Sequence, residues 1–187
     1  VKRRLSIALV HYPIVDAQGG IVTTAITNLD VHDMARSART YGCSDYFLVH
    51  PIDAQRELVE RICTHWREGS SGRRIPARKE ALALIRIVPS LDALYEAYGG
   101  RDRVEVWITH AREARPCLTF AEGRSRLAGS DDDAKPVVVV FGTGWGLAPS
   151  VIEAADEALE PIRVEGTGYN HLSVRAACAI TLDRLRG

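Results

Sequence analysis

The stretch Val137-Val138-Val139-Val140-Phe141-Gly142-Thr143-Gly144-Trp145-Gly146-Leu147-Ala148-Pro149-Ser150-Val151-Ile152-Glu153 runs from β-branched residues through three glycines into residues that open helices. Five apolar residues without polar alternation are expected of a strand covered on both faces of a parallel sheet. Gly142, Gly144 and Gly146 carry no Cβ, so the backbone there can take unusual φ and come close to a flat or polar ligand. Pro149 fits a first-turn position, while Ser150 and Glu153 fit an S-x-x-E capping box, leaving the helix start open by a residue. Strand, glycine turn and helix in this order place a ligand at the carboxyl end of a sheet. A tight turn with no ligand is the competing reading.

Outward from this stretch, short apolar runs alternate with amphipathic ones, the pattern of an α/β domain with a mostly parallel sheet and helices on both faces. Strands are expected near Leu5 to Val10, Asp45 to Val49, Ala83 to Val88, Val104 to Thr109, Val137 to Phe141 and Leu159 to Val164. Helices are expected over residues 29 to 41, after Pro51, after Ser90 and from about His171 to Leu185. The segments 69 to 76 and 121 to 135, the latter with Gly129-Ser130-Asp131-Asp132-Asp133, are rich in Gly, Ser and charge and are expected as surface loops. No internal repeat or domain-dividing linker is visible, so residues 1–187 are expected as a single domain.

Two ligand motifs compete for the glycine loop. A dinucleotide fingerprint is suggested by the glycines and by Glu165 downstream, but the spacing is G-x-G-x-G and too little chain follows for two mononucleotide-binding halves. A phosphate loop ending in G-K-[ST] is absent. A second segment adds weight to the loop: Leu159-Glu160-Pro161-Ile162-Arg163-Val164-Glu165-Gly166-Thr167-Gly168-Tyr169-Asn170-His171-Leu172-Ser173-Val174-Arg175-Ala176-Ala177. It reads as a strand end, a Gly-rich polar loop and a helix opening with Asn, His and Ser, whose N-terminus offers free N–H donors.

F-G-T-G-W-G-L, the Pro-Ile strand end and Y-N-H-L-S-V-R-A-A together resemble the SPOUT class of S-adenosylmethionine-dependent RNA methyltransferases, in a bacterial branch sometimes joined to a tRNA guanine-N1 methyltransferase domain. Thr27-Asn28-Leu29-Asp30-Val31-His32-Asp33-Met34-Ala35-Arg36-Ser37-Ala38-Arg39-Thr40-Tyr41-Gly42 is similar to the first-helix segment of that branch, and Thr109-His110-Ala111-Arg112 to the loop after its fourth strand. The resemblance spans essentially the whole chain. It implies a deep trefoil knot within about residues 105 to 187, an exception to the avoidance of threading. It implies a bent S-adenosylmethionine held by three loops: Thr109 and His110; Phe141, Gly142, Thr143, Gly144, Trp145 and Gly146; and Ile162 with Tyr169, Asn170, His171, Leu172 and Ser173. A homodimer, with first and last helices across the interface, and transfer of methyl to RNA, tRNA or rRNA, are also implied. A cofactor- and RNA-binding module without catalysis is the alternative.

This chain departs from the pattern in two places. Its second loop has Gly142-Thr143-Gly144-Trp145-Gly146 where many members have G-P-E-G-G, and Asn170-His171 precede Leu172-Ser173 where many have L-N-x-S. Arg36 occupies the place of an Arg that serves near the target nucleotide in ribose-methylating relatives, so it is the candidate catalytic residue. A guanidinium there can orient a phosphate or stabilise charge on an attacking oxygen; a solvated helix face is the competing reading. His110 and His171 could act as bases or merely shape their loops, and Trp145 could stack on a base or cover its own helix.

Composition bounds the rest. Among 187 residues, 24 basic and 24 acidic side chains balance, and the hydrophobic fraction is 46%, an ordinary globular composition. Residues 56 to 86 hold eight Arg or Lys against four Glu, whereas 130 to 165 hold two basic and eight acidic residues. Charge alone favours a solvated helix face; with the family resemblance, RNA is expected on the surface of Arg36, Arg39 and the Arg73–Lys79 segment rather than on the acidic 130 to 165 region. Cys43, Cys63, Cys117 and Cys178 lie far apart with no C-x-x-C, so reduced thiols, a cytoplasmic setting and no metal are expected. The run Leu5 to Val10 is too short for a signal peptide or a membrane span.

Overall fold

A computed structural model describes residues 2–112, 115–129 and 134–187. Six parallel strands form the main sheet: β1 (Leu5–Val10), β4 (Tyr46–Val49), β5 (Ile85–Val88), β6 (Glu105–Ile108), β7 (Val137–Gly142) and β8 (Glu157–Ala158). Their order is β5-β4-β1-β7-β6-β8. In a doubly wound dinucleotide fold the later strands step outward in chain order; here β7, which follows β6 in sequence, sits inside it against β1. Val10 pairs with Gly142 and Ile108 with Val140, so these strands end together at the carboxyl edge.

Both faces of the sheet are covered because alternate residues point to opposite sides and both sets are apolar. On one side Leu5, Ile7, Leu9, Tyr46, Trp107, Val139 and Phe141 pack with α1 (Asn28–Thr40), α6 (Phe120–Ala128) and α8 (Val174–Arg186). On the other, Ala8, Val10, Phe47, Val106, Val138 and Val140 meet α5 (Leu91–Glu96) and α7 (Pro149–Ala154). The helices α2 (Asp53–Glu68), α3 (Ser70–Arg74) and α4 (Pro76–Leu82) complete the first face. A small antiparallel hairpin, β2 (Ile14–Val15) with β3 (Ile21–Val22), stands outside the sheet.

The structure corrects several sequence expectations. Residues 159 to 164 are not a strand: pairing stops at β8 and a bridge from Leu118 to Leu159, after which Pro161 removes a backbone donor. Ser150 makes no cap. Ala148 occupies the N-cap without a side-chain bond and Pro149 the first turn. The segment 69 to 76 contains α3 and the start of α4 rather than a loop, with Pro76 in the first turn of α4. Much of 121 to 135 is α6, opened by a reciprocal capping box between Thr119 and Glu122. Residues 130–133 of the acidic run lie outside the described residues. The last helix starts at Val174, capped by Ser173, and not at His171.

The four cysteines are free, and burial pushes the Cys43 thiol up to about 12. Among the described residues no helix is long and apolar enough to cross a membrane, and no group of three ligating side chains could hold a metal ion.

Candidate functional site: three loops at one end of the sheet

Three loops leave the carboxyl ends of β6, β7 and β8. The first carries Thr109 and His110, both half-buried. Thr109 is tied to β7, its N–H and its Oγ1 both donating to Val140 O at 3.0 and 3.1 Å. The second is the glycine loop. Phe141 is buried in the core beneath it, and Trp145 at its tip is 65% exposed. The third, residues 161–172, forms no backbone–backbone hydrogen bond with another described residue. Ile162 packs partly on the core, whereas every residue from 163 to 173 is exposed, including Tyr169, His171, Leu172 and Ser173. Asn170 joins the third loop to the first, its Nδ2 donating to Ala111 O at 2.9 Å. Tyr169 and His171 place their rings 6.3 Å apart.

The glycines have different duties. A Cβ on Gly142 would come within 2.8 Å of Leu147 N, so its absence makes room for the loop's own return. Gly144 has φ +59 and a Cβ there would meet Ile14 Cδ1 at 3.0 Å; the close approach at this position is to the β2–β3 hairpin. Gly146 has φ +115 with open space where its Cβ would stand, and Gly166 and Gly168 share both properties. At these three positions no side chain shields the backbone, and φ in the left-handed region favours glycine.

The hairpin is the part of the site that the sequence did not reveal. Val15 N donates to Gly146 O, Trp145 N to Val15 O and Ala148 N to Pro13 O, fastening the glycine loop along its length. Behind it runs a half-buried polar chain: His11 Nδ1 lies 2.9 Å from Thr24 Oγ1, Thr24 Oγ1 lies 2.5 Å from Thr143 Oγ1, and Thr143 Oγ1 lies 3.2 Å from Val10 O. Val10 O can only accept, so one direction satisfies all three contacts: His11 donates to Thr24, Thr24 to Thr143, and Thr143 to Val10. His50 lies alongside, its ring 5.4 Å from that of His11, with Nε2 donating to Thr24 O and Nδ1 accepting from Ile52 N. Burial, then the neighbouring His50, depress the His11 pKa to about 4 against the opposing pull of Asp30; burial also lowers that of His50. Both rings are therefore neutral near pH 7. In the sequence His11 only closed an apolar run, with nothing to announce the partners of its ring.

Arg36 stands apart from the three loops. It is exposed on α1, 3.9 Å from Asp33. Its tie to the site is indirect: Arg175, two residues beyond Ser173, binds Asp30 at 2.7 Å and approaches Asp33 at 3.7 Å. Arg39 is held by Glu80.

The backbone of residues 161–172, free of backbone–backbone hydrogen bonds with other described residues, and the open space at Gly146, Gly166 and Gly168 leave room for a ligand at this end of the sheet. The family described as SAM-dependent RNA methyltransferase matches residues 4–187. The chain is 41% identical over 186 residues to a tRNA (guanine-N(1)-)-methyltransferase of Nitratidesulfovibrio vulgaris, covering 99% of this chain and 42% of that relative. It is 38% identical to an uncharacterized protein of Aquifex aeolicus, covering 99% of this chain and 89% of the other. This chain thus spans less than half the length of the guanine-N1 methyltransferases it matches. Among solved structures, TrmJ from Z. mobilis superposes with TM-score 0.61 at 17% identity, covering 98% of this chain and 68% of that one. A TrmH/SpoU tRNA modifying enzyme of A. aeolicus gives 0.55 at 14%, covering 99% and 76%. At such identities these two speak to the fold alone.

Proposed function

The chain belongs to the S-adenosylmethionine-dependent RNA methyltransferase family, and from that premise we propose that residues 1–187 form one domain that methylates RNA, with tRNA as the substrate class and the three loops as the cofactor site. The observation that carries the site is the meeting, at one end of the sheet, of the Thr109, Gly142 and Asn170 loops, the last with its backbone from 161 to 172 free of backbone–backbone hydrogen bonds with other described residues. The names of the curated relatives support tRNA and, with it, a cytoplasmic setting.

A trefoil knot fits the path of the chain. From β7 it crosses one face through α7, reaches β8 at the far edge beyond β6, and returns through residues 159–173 to the opposite face, where α8 packs on α1 and α6. A homodimer fits the surface of α8. Cys178, Thr181, Leu182 and Leu185 face the core, while Leu172 is exposed and Ala176, Ala179 and Ile180 are half-buried.

Thr109 and His110, Phe141 to Gly146, and Ile162 with Tyr169 to Ser173 would hold the cofactor, which supplies a methyl carbon already activated by sulfonium. The protein's part is alignment: the loops orient the donor, and a group near the nucleophile assists loss of its proton. Arg36 suits the RNA side, where a guanidinium steadies a phosphate or developing negative charge. Calorimetry with S-adenosylmethionine, followed by transfer of a tritiated methyl group to unfractionated tRNA, tests the reading. Saturable binding with radiolabel in RNA supports it; binding without transfer to any RNA would leave a docking module.

A further inference from the structure

Away from the three loops, α1, α2 and α4 enclose a groove of about 610 Å³, within the size range of small-ligand sites. Its floor is apolar, from Leu29, which is 59% exposed, with Leu58 and Ile62. Its wall is Trp66, with the His32 ring edge-on at 5.5 Å and the Arg78 guanidinium over the indole at 5.0 Å. Two polar atoms are buried here without a hydrogen-bond partner, His32 Nδ1 and Arg78 Nε. Arg61 lines the groove and forms no ion pair with any described residue; Arg73 and Arg74 on the adjoining α3 are likewise unpaired. The one acidic group in the lining, Asp33, is engaged by Arg36 and Arg175. Arg36 itself follows His32 by one turn of α1.

We propose that this groove takes an unpaired nucleotide of the RNA substrate, its base against Leu29, Leu58 and the His32–Trp66 edge and its phosphate toward Arg61 and Arg78. Apolar surface, aromatic edges and uncommitted guanidinium groups are the combination by which proteins hold single-stranded RNA. Neutral imidazole adds a hydrogen-bonding atom for a base edge, and burial beside Arg78 lowers the His32 pKa, keeping it neutral. The proposal rests on RNA being the substrate. It adds a second contact region, on the α1–α2–α4 side, to the site at the sheet end.

The test uses the full chain, tRNA carrying 4-thiouridine, and two charge reversals: Arg61→Glu in the groove and Arg103→Glu at an exposed position elsewhere. Irradiation should crosslink RNA to the peptide containing Leu58 to Trp66. Arg61→Glu should weaken RNA binding about tenfold and raise KM for RNA, with S-adenosylmethionine affinity unchanged, while Arg103→Glu stays within about twofold of wild type. Trp66→Leu should reduce crosslinking even where circular dichroism is native. Equal losses for the two reversals, or crosslinks only outside the groove in a protein that still methylates RNA, would overturn the groove and leave the function standing. A change of oligomeric state by Arg61→Glu with unaltered RNA affinity would assign the groove to a second copy of the chain. Absence of any RNA binding by the wild type would remove both readings.

Discussion

At the scale of single residues, two glycines of one loop are sensitive for different reasons. Gly144→Val forces a branched side chain against Ile14 and the Val15 carbonyl, so it should destabilise the fold by about 2 kcal/mol or more as well as distort the loop. Gly146→Ala meets only backbone strain, because space is open there. It should cost about 1 kcal/mol in stability and weaken S-adenosylmethionine binding by more than that loss explains, as read by denaturation and calorimetry side by side. A binding loss no larger than the stability loss explains would argue against the assignment of Gly146 to the cofactor. His11 offers a second test. Its pKa is about 4 folded against 6.5 unfolded, so the unfolded chain takes up the proton first. The stability contributed is fully present above about pH 6.5 and is lost as pH falls toward 4. The linked amount is at most about 3 kcal/mol. Denaturant melts from pH 7.5 to 4.5 should fall more steeply for wild type than for His11→Asn, whose side chain does not titrate.

At the scale of elements, the helices missing from the sequence reading lie in segments whose Gly, Ser and charged residues read as loop. The helix α6 has Gly123 in its interior and is followed in sequence by the Gly129-Ser130-Asp131 stretch, yet Thr119 and Glu122 cap each other at its start. Thr119→Ala should therefore cost about 1 kcal/mol, visible as a lowered midpoint in thermal denaturation. In α1 and α8, by contrast, the apolar spacing was legible, but not the bond between them. Arg175 binds Asp30, whose carboxylate is nearly buried. Arg175→Met would leave that carboxylate, among the described residues, with only its local partner Thr27, and should destabilise by about 1 to 3 kcal/mol while loosening the third loop, two residues away. Hydrogen exchange across 163–173 measures the second effect.

At the scale of the whole molecule, zero net charge conceals an arrangement. Arg39 and Arg36, expected on an RNA-facing surface, are matched by Glu80 and Asp33, whereas Arg73 and Arg74 have no acidic partner among the described residues. The double change Arg73→Ala with Arg74→Ala should lower the slope of log affinity against log salt by up to about 2 for RNA, with cofactor binding kept. The outer face of α8 makes a separate prediction about assembly. Ile180→Glu should convert a dimer into monomers in sedimentation or light scattering at micromolar concentration. A wild-type monomer under those conditions would remove the dimer.

The sequence by itself determined the α/β class, the covered parallel sheet and the strand–glycine–helix unit at residues 137–153. Those signals are local: periodicity, β-branching, caps and the missing Cβ of glycine act within a few residues. The tertiary structure alone decided that β7 inserts between β1 and β6, that the β2–β3 hairpin grips the glycine loop, that Gly144 faces Ile14, and that His11 reaches Thr143 through Thr24. Each of those depends on partners far apart in the chain, whose pairing follows from how the strands pack against one another, and no window of sequence contains both sides of the contact.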